Sequence, residues 1–371
     1  MSSTPHVSDR FRVIALLGCV VVCGAGRAHA AGPSFIGGLN TVTTLSSTIP
    51  ANGDVNPYGI ARVPESHGGL VAGQYLISNF NNSDNLQGTG TTIVQIAGDG
   101  TFSQFAQITA SEVDCPGGVG LTTALVALRS GYVVVGSLPT TDGTSATAQA
   151  GCLIVLNSWG RVVETFTGQG INGPWDMTAV DVGPLAALFV TNVLNGTVAA
   201  GGSVVKQGTV VRLLLGIFDG PPQLLDSTVI ASGFEERTDP TALVIGPTGV
   251  AFDDRSGTLF VADTLRNRIT AIPGALFRFS SAGTGGTVFA GGKLNGPLGL
   301  ALAPDGHLLA ANGADGRIVE IDPRNGREVA AKLVDDTPGP PPGGGALFGL
   351  IAGRDSVIFV DDDSNTLNRL H

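Results

Sequence analysis

Six runs of the chain end in a small residue that carries a side-chain oxygen: Asn79, Ser137, Asn192, Asp263, Asn312 and Asp362. A second set, Tyr58, Trp175, Asp176, Thr248, Leu298 and Phe348, stands at the start of the apolar runs that precede five of those ends. Carboxylates and amides that converge on one place are hard oxygen ligands, suited to calcium or magnesium rather than zinc. Aromatic rings beside them would stack on a sugar or another ring. On this reading Asp176, Asn192, Asp263 and Asp362 are the candidate metal ligands, and Tyr58, Asn79, Trp175, Asn312 and Phe348 the candidate ligand-binding residues. The competing reading is structural. An Asn or Asp that closes a strand folds its side chain onto local backbone N–H groups, which explains a once-per-unit recurrence without any ligand. Asp176 escapes that explanation, because three other copies have Gly at its position and the turn does not require a carboxylate.

These residues belong to a phrase that recurs at roughly 50 to 70 residues. It has a turn-forming start, an apolar segment, a turn, and a second apolar run with its polar end. The copy Gly246-Pro-Thr-Gly-Val-Ala-Phe with Leu259-Phe-Val-Ala-Asp263 is the clearest, and looser copies begin near Gly118 and Leu347. Runs such as Thr92-Ile-Val-Gln-Ile, Leu153-Ile-Val-Leu and Arg317-Ile-Val-Glu-Ile follow the polar ends and supply a third strand; Phe102-Ser-Gln-Phe, Val162-Val-Glu-Thr-Phe and Glu328-Val-Ala-Ala-Lys-Leu supply a fourth. Six copies of such a unit predict an all-β, six-bladed β-propeller in one domain over residues 31–371. The last blade lacks an outer strand, so residues 35–48 are expected to pair with it and close the ring. Within one blade the first strand crosses the disc and the second returns, which places first-strand starts and second-strand ends on one face near the central channel. Irregular insertions are expected at 138–151, 195–208, 234–243 and 337–345.

The first thirty residues have Arg10 and Arg12, an apolar stretch from Val13 to Cys23, and Ala28-His-Ala30, the layout of a secretory signal peptide cleaved before Ala31. A lipoprotein site at Cys19 is the weaker alternative, since few apolar residues precede it. The apolar run is too short to span a bilayer, so a periplasmic or extracellular protein is expected. Export leaves Cys115 and Cys152 as a single possible disulfide in an oxidising compartment. It also leaves 17 basic against 29 acidic residues, a surface that repels phosphate backbones and anionic lipid. Gly makes up 55 of 371 residues, as many tight turns between short strands require. No nucleophile elbow or phosphate-binding loop is present, and His67 and His307 fall in hairpin turns.

The segment Gly246-Pro-Thr-Gly-Val-Ala-Phe through Ile269 resembles an NHL repeat, and the segment from Gly296 to Ile321 resembles another. In each, Asp263 or Asn312 is followed by a short turn, then Arg268 or Arg317 and an aliphatic residue. The resemblance extends to six-bladed propellers of the gluconolactonase and virginiamycin B lyase type, and it implies the fold. For the gluconolactonase group it implies a divalent-metal site of one Glu, two Asn and one Asp, in which Asp263 matches the Asp. The Asn of that group's Pro-Asn-Gly start has no counterpart, because Pro57, Pro247 and Pro297 are followed by Tyr58, Thr248 and Leu298.

The expectation is a monomeric exported scaffold that binds a small polar molecule or a protein partner at one face, with no nucleic acid and no membrane span. The alternative is a lactonase-like hydrolase or lyase that uses calcium or magnesium in the same funnel.

Overall fold

A computed structural model describes residues 34–371. The signal-peptide expectation lies outside these residues. Six antiparallel sheets form the six blades. Blade one comprises β2 (Val55–Arg62), β3 (Tyr75–Asn81), β4 (Thr92–Ile96) and β5 (Phe102–Gln107). Blade two comprises β6 (Leu121–Ala127), β7 (Val133–Ser137), β8 (Cys152–Leu156) and β9 (Val162–Phe166). Blade three has five strands: β10 (Pro174–Asp181), β11 (Leu185–Asn192), β12 (Val205–Gly216), β13 (Gln223–Asp239) and β14 (Leu243–Ile245). Blade four runs from β15 (Pro247–Asp253) through β16 (Thr258–Asp263) and β17 (Arg268–Ile272) to β18 (Gly286–Ala290). Blade five runs from β19 (Pro297–Leu302) through β20 (Leu308–Asn312) and β21 (Arg317–Asp322) to β22 (Arg327–Leu333). Blade six joins β23 (Leu347–Ala352), β24 (Val357–Asp361) and β25 (Thr366–Leu370) to β1 (Val42–Ser47).

The expected closure is therefore present: β1 pairs antiparallel with β25, Val42 opposite Leu370 and Ser47 opposite Thr366. The segment before β1 is anchored as well. Glu320 accepts hydrogen bonds from Ser34 Oγ and from the backbone N–H groups of Phe35 and Ile36, while Ile36 is buried between blades five and six.

The first strand of every blade stands at the edge of its sheet, beside the axis. This is why Pro57, Pro174, Pro247 and Pro297 are tolerated there, since an edge strand does not need the N–H that Pro lacks. Second and third strands are almost wholly buried, because both their faces pack against neighbouring blades. Fourth strands are half exposed. Apolar layers between successive blades form the core.

Two of the expected insertions are irregular only in part. Residues 195–204 are turn and loop, as expected, but 205–208 and 234–239 extend β12 and β13, which pair from Val205 opposite Glu236 onward, and a turn at 240–242 leads into β14. The result is a strap from blade three that crosses one face of the disc. Ser145 Oγ, from the blade-two insertion, donates to the carbonyls of Asp239 and Leu243, and Gln87 Nε2 donates to that of Pro240, so the strap is clasped to blades one and two. Cys115, on the approach to β6, is disulfide-bonded to Cys152 at the start of β8, with Cα atoms 5.5 Å apart. No helix of the described residues is long and apolar enough to cross a membrane.

Candidate functional site

The ladder registers confirm that first-strand starts and second-strand ends meet. Pro57 lies opposite Asn79, Leu121 opposite Ser137, Pro174 opposite Asn192, Pro247 opposite Asp263 and Pro297 opposite Asn312. In the last blade Leu347 lies opposite Asp361, so Asp361 rather than Asp362 is the equivalent residue.

These polar ends do not converge on the axis. Asn192 Oδ1 accepts from Asn172 N, Asn312 Oδ1 from Asn295 N and Asp361 Oδ1 from Ser364 N. Ser137 Oγ accepts from Gly120 N, and Asn79 Nδ2 donates to the carbonyl of Thr48. Each side chain ties its strand to a neighbouring backbone segment, the structural role that satisfies groups otherwise orphaned by burial. Asp263 is held by Arg268, 2.7 Å away. Asp362, one residue further along, is raised to a pKa of about 8 by burial and then by its neighbours Asp363 and Asp361. Asp361 is buried at the end of β24, and Asp362 and Asp363 enter the turn that follows, Asp363 exposed.

The aromatic candidates converge, but on one another. Tyr58 stacks on Phe348 with ring centroids 3.7 Å apart and on Phe80 at 4.6 Å, and Trp175 lies 6.4 Å from Phe348. With Leu298, Val193, and Leu243 and Val244 of the strap, they make one buried cluster. This plug fills the axis on the face where the funnel was expected. Tyr58, Asn79, Trp175, Asn312 and Phe348 are all nearly inaccessible to solvent.

The channel opens on the other face. A cavity of about 440 Å³ is lined by the first strands of all six blades, with Leu125, Met177, Val250, Leu300 and Leu350 among its apolar walls. Exposure rises toward the far ends of these strands, and Arg62, Arg129 and Asp181 stand at the rim. His67 and His307 both occupy turns on this face, as expected. His67 bonds to the Arg129 carbonyl. His307 is buried, bonded to Glu320 through Nδ1 and facing Arg324 through Nε2.

Asp176 lies at the inner end of this channel. Every first strand shifts register just after its start, and in β10 the shift falls between Pro174 and Met177, which turns Asp176 toward the axis. In four other blades the equivalent residue is Gly59, Gly249, Gly299 or Gly349, with no room for a side chain, and in blade two Thr123 stands there. A Cβ at Gly299 would sit 2.0 Å from the Phe348 carbonyl oxygen, and one at Gly249 would sit 2.3 Å from that of Leu298. Blade three alone places a carboxylate there. Its Oδ1 accepts from Met177 N at 2.8 Å and its Oδ2 from Val250 N at 2.9 Å, across the junction with blade four. Burial pushes its pKa up to about 7 against the lowering effect of those two bonds.

The four candidate metal ligands are therefore separated: Asp176 faces the channel, Asn192 and Asp263 are turned to local partners, and Asp362 lies beyond the plug. The donor set implied by the gluconolactonase resemblance does not fit this arrangement. Among the described residues one cluster has metal-ligand spacing, Asp305, His307 and Glu320, but Glu320 already accepts from Ser34, Phe35, Ile36 and His307. Sequence reasoning passed over Glu320, although a Glu inside the apolar run Arg317-Ile-Val-Glu-Ile is a buried-polar signal. It also passed over the channel rim, because the rim lies in turns that the repeat does not mark.

No known protein family matches the sequence, and no curated protein does. Among solved structures, the chain is similar to a gluconolactonase from Xanthomonas campestris, at 15% identity and a TM-score of 0.52, over 93% of this chain and 99% of that one. It is similar to the PQQ-bound aldose sugar dehydrogenase from Streptomyces coelicolor at 17% identity and 0.52, over 89% and 97%. Virginiamycin B lyase from Staphylococcus aureus matches at 13% identity and 0.51, over 89% and 98%. Identities this low establish the shared six-bladed propeller fold and leave activity to the site.

Proposed function

We propose that the protein is a binding scaffold that takes a small molecule into its central channel through the open face, holds a cationic or hydrogen-bond-donating head against Asp176, and returns it unaltered. The observation that carries this reading is Asp176 itself, a carboxyl group set where four other blades have Gly, at the inner end of a channel whose wall combines apolar side chains with polar groups. A site of that kind pairs an apolar body with one placed polar contact. The carboxylate keeps unshared lone pairs on both oxygens beyond its two backbone bonds, and an amine head would meet them with charge as well as a hydrogen bond.

At pH 7.5, hexylamine is expected to raise the melting temperature by several degrees, whereas hexanoate and hexanol are not. Asp176→Asn is expected to lose the amine response. An equal rise in the variant, or none in the wild type, contradicts the reading.

The second reading is lactone hydrolysis, favoured by a carboxyl with a pKa of about 7, the value a general base needs at neutral pH. Hydrolysis of δ-gluconolactone above the spontaneous rate, lost in Asp176→Asn, would replace the scaffold by an enzyme.

We also propose export with cleavage before Ala31, which the Cys115–Cys152 disulfide supports. The intact mass of the exported protein is expected to match a chain that starts at Ala31 with that disulfide closed. A lipidated chain that starts at Cys19 contradicts it.

A further inference from the structure

We infer that the natural occupant is the free amino terminus of an extended, apolar peptide that reaches Asp176 and leaves over a groove at the channel rim. This deepens the channel reading and rests on it.

Three observations meet here. The first is length: from Asp176 to Asp181, β10 runs from the inner end to the rim. Those five steps cover about 16 Å at 3.3 Å per residue, the span of about five residues of extended peptide. The second is the wall. Each first strand is the edge of its sheet, so one row of its backbone N–H and C=O groups faces the axis rather than a ladder. An extended backbone is the ligand that answers such groups, as in strand addition, while its side chains meet the apolar wall residues.

The third is a second cavity of about 800 Å³, lined by Glu65, Arg129, Ser130, Tyr132, Asp181 and Phe218 with their neighbours. Arg129 and Asp181 line both cavities, so the two are continuous at the rim. Asp181 is committed to the backbone, accepting from Arg129 N and Gly183 N, and it fixes the shape of this edge. Phe218, at the tip between β12 and β13, is 64% exposed, and Ser130 Oγ is buried without a hydrogen-bond partner among the described residues. The Arg129 guanidinium stands 3.7 Å from Glu65 and is mostly exposed. Phe218 and Arg129 offer a ring face and a guanidinium: contacts for an aromatic side chain and for peptide carbonyls. A short amine fills only the inner part of this path.

The test compares three probes by titration calorimetry at pH 7.5: hexylamine, a five-residue peptide of small apolar residues ending in an aromatic one, and the same peptide acetylated at its amino terminus. The free peptide is expected to bind at least tenfold tighter than hexylamine and at least tenfold tighter than its acetylated form. Phe218→Ala is expected to weaken the peptide about tenfold and hexylamine less than twofold. Hexylamine binding with no tighter binding of the peptide overturns the inference and leaves the channel reading standing. Equal affinity of the acetylated peptide, or an unchanged peptide affinity in Phe218→Ala, also overturns it. Failure of hexylamine and both peptides to bind overturns the inference and the channel reading together.

Discussion

Deletion of residues 34–48 is expected to leave the protein insoluble or to lower its melting temperature by more than about 15 °C, because the segment closes the ring in three separate ways. It supplies β1, without which β25 becomes an edge with unpaired backbone groups beside an apolar interior. It supplies Ile36, fully buried between blades five and six, whose loss opens a cavity worth about 2 to 5 kcal/mol. It also supplies three of the donors that satisfy Glu320, a carboxylate with no solvent-exposed surface. A buried charge stripped of its partners costs a further few kcal/mol. Differential scanning calorimetry of the soluble fraction measures the effect. A truncated protein that melts at the wild-type temperature contradicts this account of closure.

Stability is expected to peak near pH 5 and to fall by on the order of 5 kcal/mol toward pH 8. Six carboxyls are raised chiefly by burial: Asp361 to about 6, Asp176 to about 7, Glu236 and Asp362 to about 8, and Asp263 and Asp363 also upward. Each holds its proton in the folded protein over a range where the unfolded chain has already released it. Folding is therefore favoured below the ordinary carboxylate pKa, and that advantage is lost as the pH rises toward the folded value, by at most about 1.4 kcal/mol per unit for each group. Glu320, Asp322 and Asp335 are lowered by their hydrogen bonds, so they act in the opposite sense and only in more acid solution. Glu236 is the cleanest probe, because it has no solvent-exposed surface and neither oxygen has a hydrogen-bond partner among the described residues. Glu236→Gln is expected to raise the melting temperature relative to wild type at pH 8 and to leave it nearly unaltered at pH 5. A wild-type melting temperature that rises from pH 5 to pH 8 contradicts the argument.

The fold was legible because its signals are local and repeated. Gly and Pro punctuate each blade, the first two strands carry continuous apolar runs, and the missing outer strand of blade six pointed to residues 35–48. Of the proposed site, one residue was legible. Asp176 stood out as a carboxylate where sister blades have Gly, and no turn required it. The covered face was missed because 205–208 and 234–239 have the polar composition of loops; only pairing with each other makes them strands, and only the strap they lead into covers the plug. Asp362 was placed one residue late because three consecutive Asp residues give no local sign of which one closes the strand; the pairing of Leu347 with Asp361 decides it. The aromatic residues at first-strand starts carried the right position and the wrong exposure, since one sequence pattern serves both a lined funnel and a filled one.

The pH dependence of hexylamine affinity tests the central claim most directly. The amine stays protonated throughout, so pairing with Asp176 requires the carboxyl to give up its proton. Between pH 5 and pH 7 the wild-type affinity is expected to rise close to tenfold per unit, then level off above the Asp176 pKa of about 7, with binding in acid solution releasing one proton. Asp176→Asn is expected to bind weakly at every pH with no such rise. A wild-type affinity that stays flat from pH 5 to pH 9, or an identical profile in the variant, would mean that the ligand head does not meet Asp176.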